Sequence, residues 1–398
     1  MRHITIFSLF FTLAVLSFSI SSCKKDPSII TNEVAPWDTT DYLKINQLQV
    51  IGSHNSYRQH TYEPMYNFVQ NISGLLPSQY DPNGWDYSHL PLEEQLSNYG
   101  MRAIELDIYN DPGNGGIFYN RRANGLINEP IATGITELKG PGMKILHVPD
   151  FDYMTNYYTF KSALTTIKSW SDAHPRHLPI IIQIESKEDA VTLSGFILTK
   201  PVAFDAAAAD ALDAEIKSVF GENLDNVITP DKFRGTYSTL SEAAENNAWP
   251  MLGNARGKVI FVMEGPAVEP YLSGHPVLEG RAVFLFRNAG DPETAFVLLN
   301  SAVNDETEIQ QTVAAGYMVR TRSDENTDEA RTGDYSGMNA AFASGAQIIS
   351  TDYYKPDPRG VAGDSGWTDY HVHFPNNELA RINPISAADK QGIGEIKE

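Results

Sequence analysis

Four short motifs carry side chains that could combine acid–base chemistry with metal binding. Each motif lies at or just after the end of a short apolar run, a pattern typical of a β-strand. Histidines exchange protons near neutral pH, whereas carboxylate and amide oxygens are the ligands that Ca²⁺ and Mg²⁺ prefer. A set that holds both kinds favours metal-assisted phosphodiester chemistry. Its members are His54, Asn55, Glu105, Asp107, His147 and Glu185.

The spacing of the carboxylates predicts that they share one cavity. Glu105 and Asp107 stand two residues apart in one predicted strand, so both point to the same face. With Glu185 nearby and no cation, at least one of the three would have to be protonated. A salt bridge at a strand end is the alternative for any single carboxylate, but the set favours a metal. His54 and His147 are then free for proton transfer.

Three cationic residues near these motifs are candidates for substrate contacts. Lys187 stands two residues beyond Glu185 and could reach a phosphate group, with a solvated loop lysine as the alternative. Arg320 and Arg322 alternate in a later apolar run and therefore face the same side of it. We expect these arginines to bind phosphate or substrate hydroxyls rather than to pair with acids at the surface.

The apolar runs next to these motifs belong to a series of eight. They are rich in Ile and Val and mostly lack strict polar alternation, as parallel strands covered on both faces do. Eight such strands, most with helical patterns between them, predict a (β/α)8 TIM-like barrel in a single domain. Its catalytic residues should gather at the carboxyl ends of the strands. The predicted strands span residues 48–52, 102–108, 144–148, 180–185, 258–263, 282–286, 317–321 and 347–351.

We expect this barrel to be irregular in two places. Residues 111–142 are rich in Gly, Pro and Asn and show no amphipathic pattern, which predicts a long loop. The long interval between the fourth and fifth strands predicts an inserted segment. The predicted helices span residues 91–99, 158–174, 205–220, 293–303 and 335–344.

Composition limits the partners that the chain can have. Its 398 residues can bury a substantial core, and its formal net charge is −20. Nucleic acids require a basic face, so this charge argues against nucleic-acid binding. The same charge disfavours unaided binding to anionic membranes. We expect a monomer.

The N-terminus predicts export and lipid attachment. A weakly basic start, an apolar stretch and small residues beyond it are typical of a signal peptide over residues 1–22. The only cysteine ends Ile20-Ser21-Ser22-Cys23, which resembles the lipobox of bacterial lipoproteins. An ordinary signal peptide with a stray thiol is the alternative. We therefore expect a lipid anchor to the bacterial cell envelope, at the outer membrane and facing the periplasm or the cell surface. The expected parts after the signal peptide are a tether (23–44), a barrel (45–375) and a C-terminal tail (376–398).

The motifs together resemble the X-region of phosphoinositide-specific phospholipases C, most closely their calcium-dependent bacterial branch. The resemblance runs from about residue 45 to about residue 354, which is most of the chain. It is carried by Gly52-Ser53-His54-Asn55-Ser56-Tyr57, Arg102-Ala103-Ile104-Glu105-Leu106-Asp107, Ile145-Leu146-His147, Ile182-Gln183-Ile184-Glu185, Val319-Arg320-Thr321-Arg322-Ser323-Asp324 and Ile348-Ile349-Ser350-Thr351-Asp352-Tyr353.

The resemblance implies a calcium-dependent phosphodiesterase with a TIM-like barrel. Its substrate would be phosphatidylinositol or a related inositol phosphodiester, cleaved to diacylglycerol or another alcohol and a cyclic or open inositol phosphate. Which histidine is the acid and which the base stays open, and a ligand carboxylate could be the base. By their places in the motifs, the catalytic pair is His54 and His147, and the Ca²⁺ ligands are Asn55, Glu105, Asp107 and Glu185.

Two other functions compete with this prediction. A glycerophosphodiester phosphodiesterase shares the barrel architecture, but that family typically opens its first strand with His-Arg-Gly, which is absent here. A non-catalytic surface lipoprotein that binds lipid or glycan would show gaps in the set of acid, base and ligand residues. The sequence shows no such gap.

Overall fold

Strands and helices alternate along most of the chain. The apolar runs rich in Ile and Val form strands, because β-branched side chains pack well on a pleated sheet. The strands are β1 (Leu48–Ser53), β2 (Ala103–Tyr109), β3 (Lys144–Ile145), β4 (Ile180–Ser186), β5 (Thr192–Leu193), β6 (Phe196–Ile197), β7 (Val259–Glu264), β8 (Val283–Phe286), β9 (Thr294–Ser301), β10 (Met318–Arg322), β11 (Ile348–Thr351) and β12 (Ala380–Ile382).

Eight parallel strands close into a barrel, which confirms the predicted (β/α)8 TIM-like fold. Around the barrel they run β1, β2, β4, β7, β8, β9, β10 and β11, and β11 pairs with β1 again. The strands are buried on both faces over most of their length, which explains why their sequences are continuously apolar. Their carboxyl ends therefore meet at one rim of the barrel.

Helices surround the barrel, and the two longest begin at a capping residue. The side chain of Thr159 caps α3 by accepting a hydrogen bond from the backbone N–H of Ser162, and Asp205 caps α4 in the same way. The helices are α1 (Glu63–Ile72), α2 (Leu92–Asn98), α3 (Phe160–Ala173), α4 (Ala206–Phe220), α5 (Pro230–Arg234), α6 (Leu240–Glu245), α7 (Leu252–Ala255), α8 (Val268–Leu272), α9 (Ala302–Ala314), α10 (Asp328–Thr332), α11 (Ser336–Ser344) and α12 (Pro358–Ala362).

Two predicted elements differ from the structure. The run at 144–148 was expected to be the third barrel strand, but only β3 forms there, and it pairs antiparallel with the end of β2. The segment 293–303 was expected to be a helix, but β9 occupies most of it and is the sixth barrel strand. The barrel therefore has eight strands, as predicted, but one of them is β9 and not the run at 144–148.

The barrel is irregular at the expected places and at one more. Among the described residues of 111–142, the only helical pieces are two short 3₁₀ turns, at Arg122–Ile127 and Thr136–Leu138. The interval between β4 and β7 holds the β5–β6 hairpin and α4 to α7. Residues 287–293 connect β8 to β9 without a helix.

The structure is a computed structural model that describes residue 1 and residues 37–113, 116–193 and 196–398. Trp37–Glu398 forms one compact unit. Cys23, the predicted signal peptide beyond residue 1 and most of the predicted tether lie outside the described residues. In the predicted tail, β12 pairs antiparallel with β1. None of the helices described is long and apolar enough to cross a membrane.

A second apolar cluster lies beside the main core and fixes the long connection between β1 and α2. Met65 and Val69 of α1 pack there with Trp85, from the end of the same connection. Phe151 and Val191 join them from the segments that follow β3 and β4. Burial of these side chains holds the connection against its neighbours.

Candidate active site

His54 follows β1 and is oriented by Asp352, which follows β11. Its Nδ1 lies 2.8 Å from Oδ1 of Asp352, and its Nε2 lies 3.6 Å from Oε1 of Glu105. Burial would raise the pKa of Asp352, but His54 and Arg322 hold that pKa well below its ordinary value. Because an ionised carboxylate only accepts hydrogen bonds, Nδ1 of His54 must donate. Its Nε2 is then the atom available for proton transfer.

His147 has a carboxylate partner of its own in Asp152. Nδ1 of His147 lies 2.7 Å from Oδ2 of Asp152, which also accepts a 2.6 Å hydrogen bond from Nε of Arg58. The hydroxyl of Thr61 donates to the other oxygen of Asp152. Burial lowers the pKa of His147, and the ring of Trp85 packs edge-on against its imidazole. The position and tautomer of His147 are thereby fixed, as those of His54 are.

Glu105, Asp107 and Glu185 form an acidic cluster at the carboxyl ends of β2 and β4. Asp107 and Glu185 are neighbours across the two strands, and one oxygen from each of the three carboxylates lies within 4.8 Å of the others. Oδ1 of Asp107 is buried and accepts no hydrogen bond from the described residues. Burial, together with Glu185 and Glu105, raises the pKa of Asp107 well above its ordinary value.

This donor set fits a calcium ion. An unpaired buried carboxylate oxygen among further carboxylates is costly unless a cation or a proton neutralises the charge. Asn55 lines the cleft beside the cluster and is buried in a left-handed conformation with φ of 47°, which asparagine tolerates well. Three carboxylates and one amide oxygen are hard ligands of the kind that Ca²⁺ takes.

The three predicted cationic residues all lie in the same cleft, and each contacts an acid. Nζ of Lys187 lies 2.7 Å from Oδ2 of Asp107 and 3.3 Å from Oε1 of Glu185. Arg320 donates to Oε2 of Glu105 over 2.6 Å. The structure therefore places Lys187 and Arg320 against the acidic cluster. The remaining cation, Arg322, lies 3.3 Å from Asp352.

The cleft has a volume of about 640 Å³ and opens at the carboxyl ends of the barrel strands. All nine residues that the sequence proposes as site residues are brought together there, with Asp107 buried beneath the surface of the cleft. The eight that line it are His54, Asn55, Glu105, His147, Glu185, Lys187, Arg320 and Arg322.

Further site residues were not predicted, although some carry a recognisable signal. Glu264 ends β7 as Glu185 nearly ends β4, so the same pattern of a carboxylate at a strand end would have found it. Burial and the nearby Glu185 raise the pKa of Glu264 to about 7. Asn300 was hidden in the segment wrongly predicted to be a helix. The others are Asp352, Asp152, Arg58, Trp85 and Tyr87, which act by contact with the histidines or with each other.

Comparisons with known proteins identify the family of the chain. The family model for Ca²⁺-dependent phosphoinositide phospholipase C matches residues 43–384. One crystal form of the calcium-dependent phosphoinositol-specific phospholipase C from a Pseudomonas species is 14% identical, with a TM-score of 0.50. That match covers 87% of this chain and 97% of the other. At this identity the likeness shows the barrel fold.

Two further solved structures are similar at slightly lower TM-scores. A second crystal form of the Pseudomonas enzyme is 16% identical with a TM-score of 0.49, covering 80% of this chain and 92% of the other. A Ca²⁺-dependent phosphatidylinositol-specific phospholipase C from Streptomyces antibioticus is 15% identical with a TM-score of 0.47, covering 78% and 95%. Curated protein sequences give no significant match. Because the family model spans most of the chain, the protein belongs to the Ca²⁺-dependent phosphoinositide phospholipase C family and is a phosphodiester hydrolase of that type.

Proposed function

We propose that this protein cleaves phosphatidylinositol or a related inositol phosphodiester in a calcium-dependent reaction. The products are diacylglycerol, or another alcohol, and a cyclic or open inositol phosphate. One observation carries the proposal. Two histidines, each with its own buried carboxylate partner, line a cleft beside a cluster of three carboxylates, and one oxygen from each of the three lies within 4.8 Å of the others.

The residues that would hold the calcium ion are those already assigned to the acidic cluster, together with the neighbouring amide. Bound Ca²⁺ would supply positive charge that lowers the pKa of the attacking hydroxyl and neutralises developing charge on the phosphoryl oxygens. The proposed ligands are Asn55, Glu105, Asp107 and Glu185.

The two histidines carry the proton transfers of the reaction. The inositol hydroxyl next to the phosphate attacks phosphorus, and Nε2 of His54 accepts its proton. As the bond from phosphorus to the alcohol oxygen breaks, protonated His147 donates a proton to that oxygen. Asp352 and Asp152 stabilise each imidazolium without taking its proton, because the pKa of each aspartate lies well below its ordinary value.

The charges of the cleft favour an inositol ring without further phosphate groups. Each cationic residue that lines it already contacts a carboxylate, and Glu264 adds another acid to the wall. A ring phosphate would lack a cation that is not already engaged by a carboxylate or by the scissile phosphate, whereas ring hydroxyls could donate to Glu264 and to the amide oxygen of Asn300. Phosphatidylinositol should therefore be cleaved much faster than phosphatidylinositol 4-phosphate at equal mole fraction in vesicles.

Anchoring through Cys23 is proposed from the sequence alone. Lipid on this cysteine would hold the protein at the envelope despite its formal net charge of −20. Labelling with a radioactive fatty acid in bacteria should mark the wild-type protein and leave Cys23→Ser unlabelled. Label retained by Cys23→Ser would contradict the anchor.

The catalytic proposal is tested by release of inositol phosphate from phosphatidylinositol and from glycerophosphoinositol, with Ca²⁺ and with a chelator. Activity unchanged by the chelator would contradict the calcium requirement. No turnover of any inositol phosphodiester would move support to a binding protein without catalysis.

The roles of the histidines are separated by the leaving group. A nitrophenyl ester of inositol phosphate releases its alcohol without protonation, so His147→Ala should lose far less activity on it than on phosphatidylinositol. His54→Ala should lose similar activity on both substrates. The opposite pattern would exchange the acid and the base.

A further inference from the structure

Lys187 is the cationic side chain in closest contact with two of the three clustered carboxylates. Its ammonium lies 2.7 Å from Asp107 and 3.3 Å from Glu185, and its side chain is 18% exposed at the wall of the cleft. Its backbone N–H donates to the carbonyl of Ile108 at 2.9 Å, which fixes the main chain beside β2. The flexible part of Lys187 is therefore its four-carbon stem.

Arg320 contacts the same cluster but cannot leave it in the same way. It is 2% exposed, and its guanidinium donates to Glu105, to Asn300 and to the hydroxyl of Ser350. These partners come from three different barrel strands and hold it in one place. The only acidic partners of the Lys187 ammonium within the described part of the chain are the two carboxylates of the cluster.

We propose that the ammonium of Lys187 neutralises the acidic cluster in the metal-free protein and leaves Asp107 and Glu185 when calcium binds. Lys187 then points into the cleft, where the phosphate of the substrate lies. This inference rests on the proposed calcium site and gives Lys187 a second role beside substrate contact. It makes the lysine an internal competitor of the metal.

If Lys187 competes with calcium, a variant without its positive charge should bind calcium more tightly but be less stable without the metal. Lys187→Met keeps the length of the side chain but removes the cation, so calcium no longer has to displace it and should bind more tightly. The metal-free form loses the charge that offsets crowded carboxylates, so it should be less stable. The tighter calcium binding and the lower stability both result from loss of the same contact of Lys187 with Asp107 and Glu185, so they should appear together.

The test uses calcium itself, titrated calorimetrically into the purified full chain. Lys187→Met should bind Ca²⁺ on the order of tenfold more tightly than wild type, because a competing cation within hydrogen-bonding distance is gone. Arg322→Gln is the matched control, since it removes one positive charge from the same cleft without touching the cluster, and should change the affinity about threefold or less. Lys187→Gln provides a second neutral variant should the methionine fail to fold.

Thermal unfolding gives an independent reading of the same competition. With a chelator present, Lys187→Met should unfold at a lower temperature than wild type, and calcium should raise its unfolding temperature more. Affinity that stays equal to that of Arg322→Gln, or falls below wild type, would overturn the role of Lys187 while leaving the calcium site intact. Absence of calcium binding in wild type and variants would overturn the calcium site itself and the inference with it.

Discussion

Each histidine of the site depends on one carboxylate, which is distant in sequence for His54 and close for His147. Asp352 follows the last barrel strand and reaches His54, while Asp152 lies five residues beyond His147 and reaches back to it. In both aspartates, burial alone would raise the pKa, yet the cationic partners hold it well below its ordinary value. Both carboxylates are therefore ionised at neutral pH.

Asp352→Asn should impair catalysis while leaving calcium binding intact. The amide keeps the size of the side chain but cannot stabilise the imidazolium form of His54. We expect kcat to fall by about 10²- to 10⁴-fold, with KM and calcium affinity little changed. Steady-state kinetics on phosphatidylinositol would measure the fall, with Asp364→Asn, an exposed acid after the same strand, as the control. A variant that keeps more than about a tenth of kcat would contradict this role for Asp352.

His89 should make the free energy of unfolding depend on pH. It is 5% exposed, its Nε2 lies 2.7 Å from the carbonyl oxygen of His54, and burial lowers its pKa to about 4. The unfolded chain takes up this proton below about pH 6.5, whereas the folded chain does so only near pH 4. His89 therefore does not reduce the free energy of unfolding above about pH 6.5. As the pH falls from about 6.5 to about 4, it lowers that free energy by up to about 3 kcal/mol.

Urea unfolding at a series of pH values would measure this dependence. His147 and His177, whose pKa burial also lowers, add to the loss in the same direction. In His89→Gln the amide still reaches the carbonyl of His54 but does not titrate, so the free energy should fall less steeply over this range. An unchanged slope in His89→Gln would show that His89 is not the group responsible.

At the scale of elements, residues 85–87 form a segment that contacts both histidines. Trp85 packs against His147, and the hydroxyl of Tyr87 lies 3.4 Å from Nδ1 of His54. Arg58 donates to the carbonyl oxygens of Trp85 and Tyr87. One short segment therefore fixes the spacing between the proposed acid and base.

Asp86, in the middle of this segment, joins it to α10 and α12, the short helices that follow β10 and β11. Its carboxylate lies 2.9 Å from Arg331 and 2.8 Å from Arg359, and both guanidinium groups stack on the ring of Trp367. Asp86→Asn weakens this attachment without touching either histidine. We expect kcat to fall about tenfold or more, because small displacements of catalytic groups are costly, while KM and the pH profile stay the same.

Asp357→Asn is the control for Asp86, since Asp357 binds the same Arg359 but forms no hydrogen bond or ion pair with residues 85–87. It should leave kcat near the wild-type value. Equal loss in both variants would show that the loop attached to Arg359, rather than the 85–87 segment, carries the effect.

The elements that the sequence predicted correctly are those whose local pattern decides their structure. Seven of the eight barrel strands coincide with apolar runs in the sequence, and α3 and α4 follow clear capping residues. The two errors concern segments decided by distant partners. Residues 144–148 include an apolar run, but its partners are the end of β2 and the segment before α3, and both pair with it in antiparallel orientation. Residues 293–303 were predicted to be a helix, yet residues 294–301 pair with β8 and β10 and so form a strand of the barrel.

The same distinction holds within the site. Groups that end a barrel strand were predictable, because strand ends meet at one rim whatever the rest of the chain does. His147 was predicted as a residue at the end of a barrel strand. It lies in the site, but it follows β3, which is a short antiparallel strand outside the barrel. Partners such as Asp152, Arg58 and Trp85 lie in irregular connections. No spacing rule places such residues, and only their contacts in the folded chain identify them.

At the scale of the whole molecule, the charge of the chain opposes the proposed substrate. The formal net charge is −20, and vesicles that contain phosphatidylinositol are also anionic. The few cations of the catalytic cleft do little to offset this, since in the metal-free protein each of its lining lysine and arginine residues contacts an acid. Approach to the lipid should therefore be limited by repulsion, which a lipid anchor would overcome by holding the protein at a surface.

Salt should therefore increase the activity of purified protein on anionic vesicles. Raising the ionic strength from about 0.01 M to about 0.15 M shortens the screening length from about 30 Å to about 8 Å, which removes most of the repulsion. At saturating Ca²⁺, we expect the apparent KM on vesicles of phosphatidylinositol and phosphatidylglycerol to fall several-fold over this range. Glycerophosphoinositol, a small monoanion, should show a much weaker effect, which separates surface repulsion from any influence of salt on the active site. An apparent KM that rises with salt on vesicles would mean that a basic surface of the protein, rather than its net charge, governs the encounter with lipid.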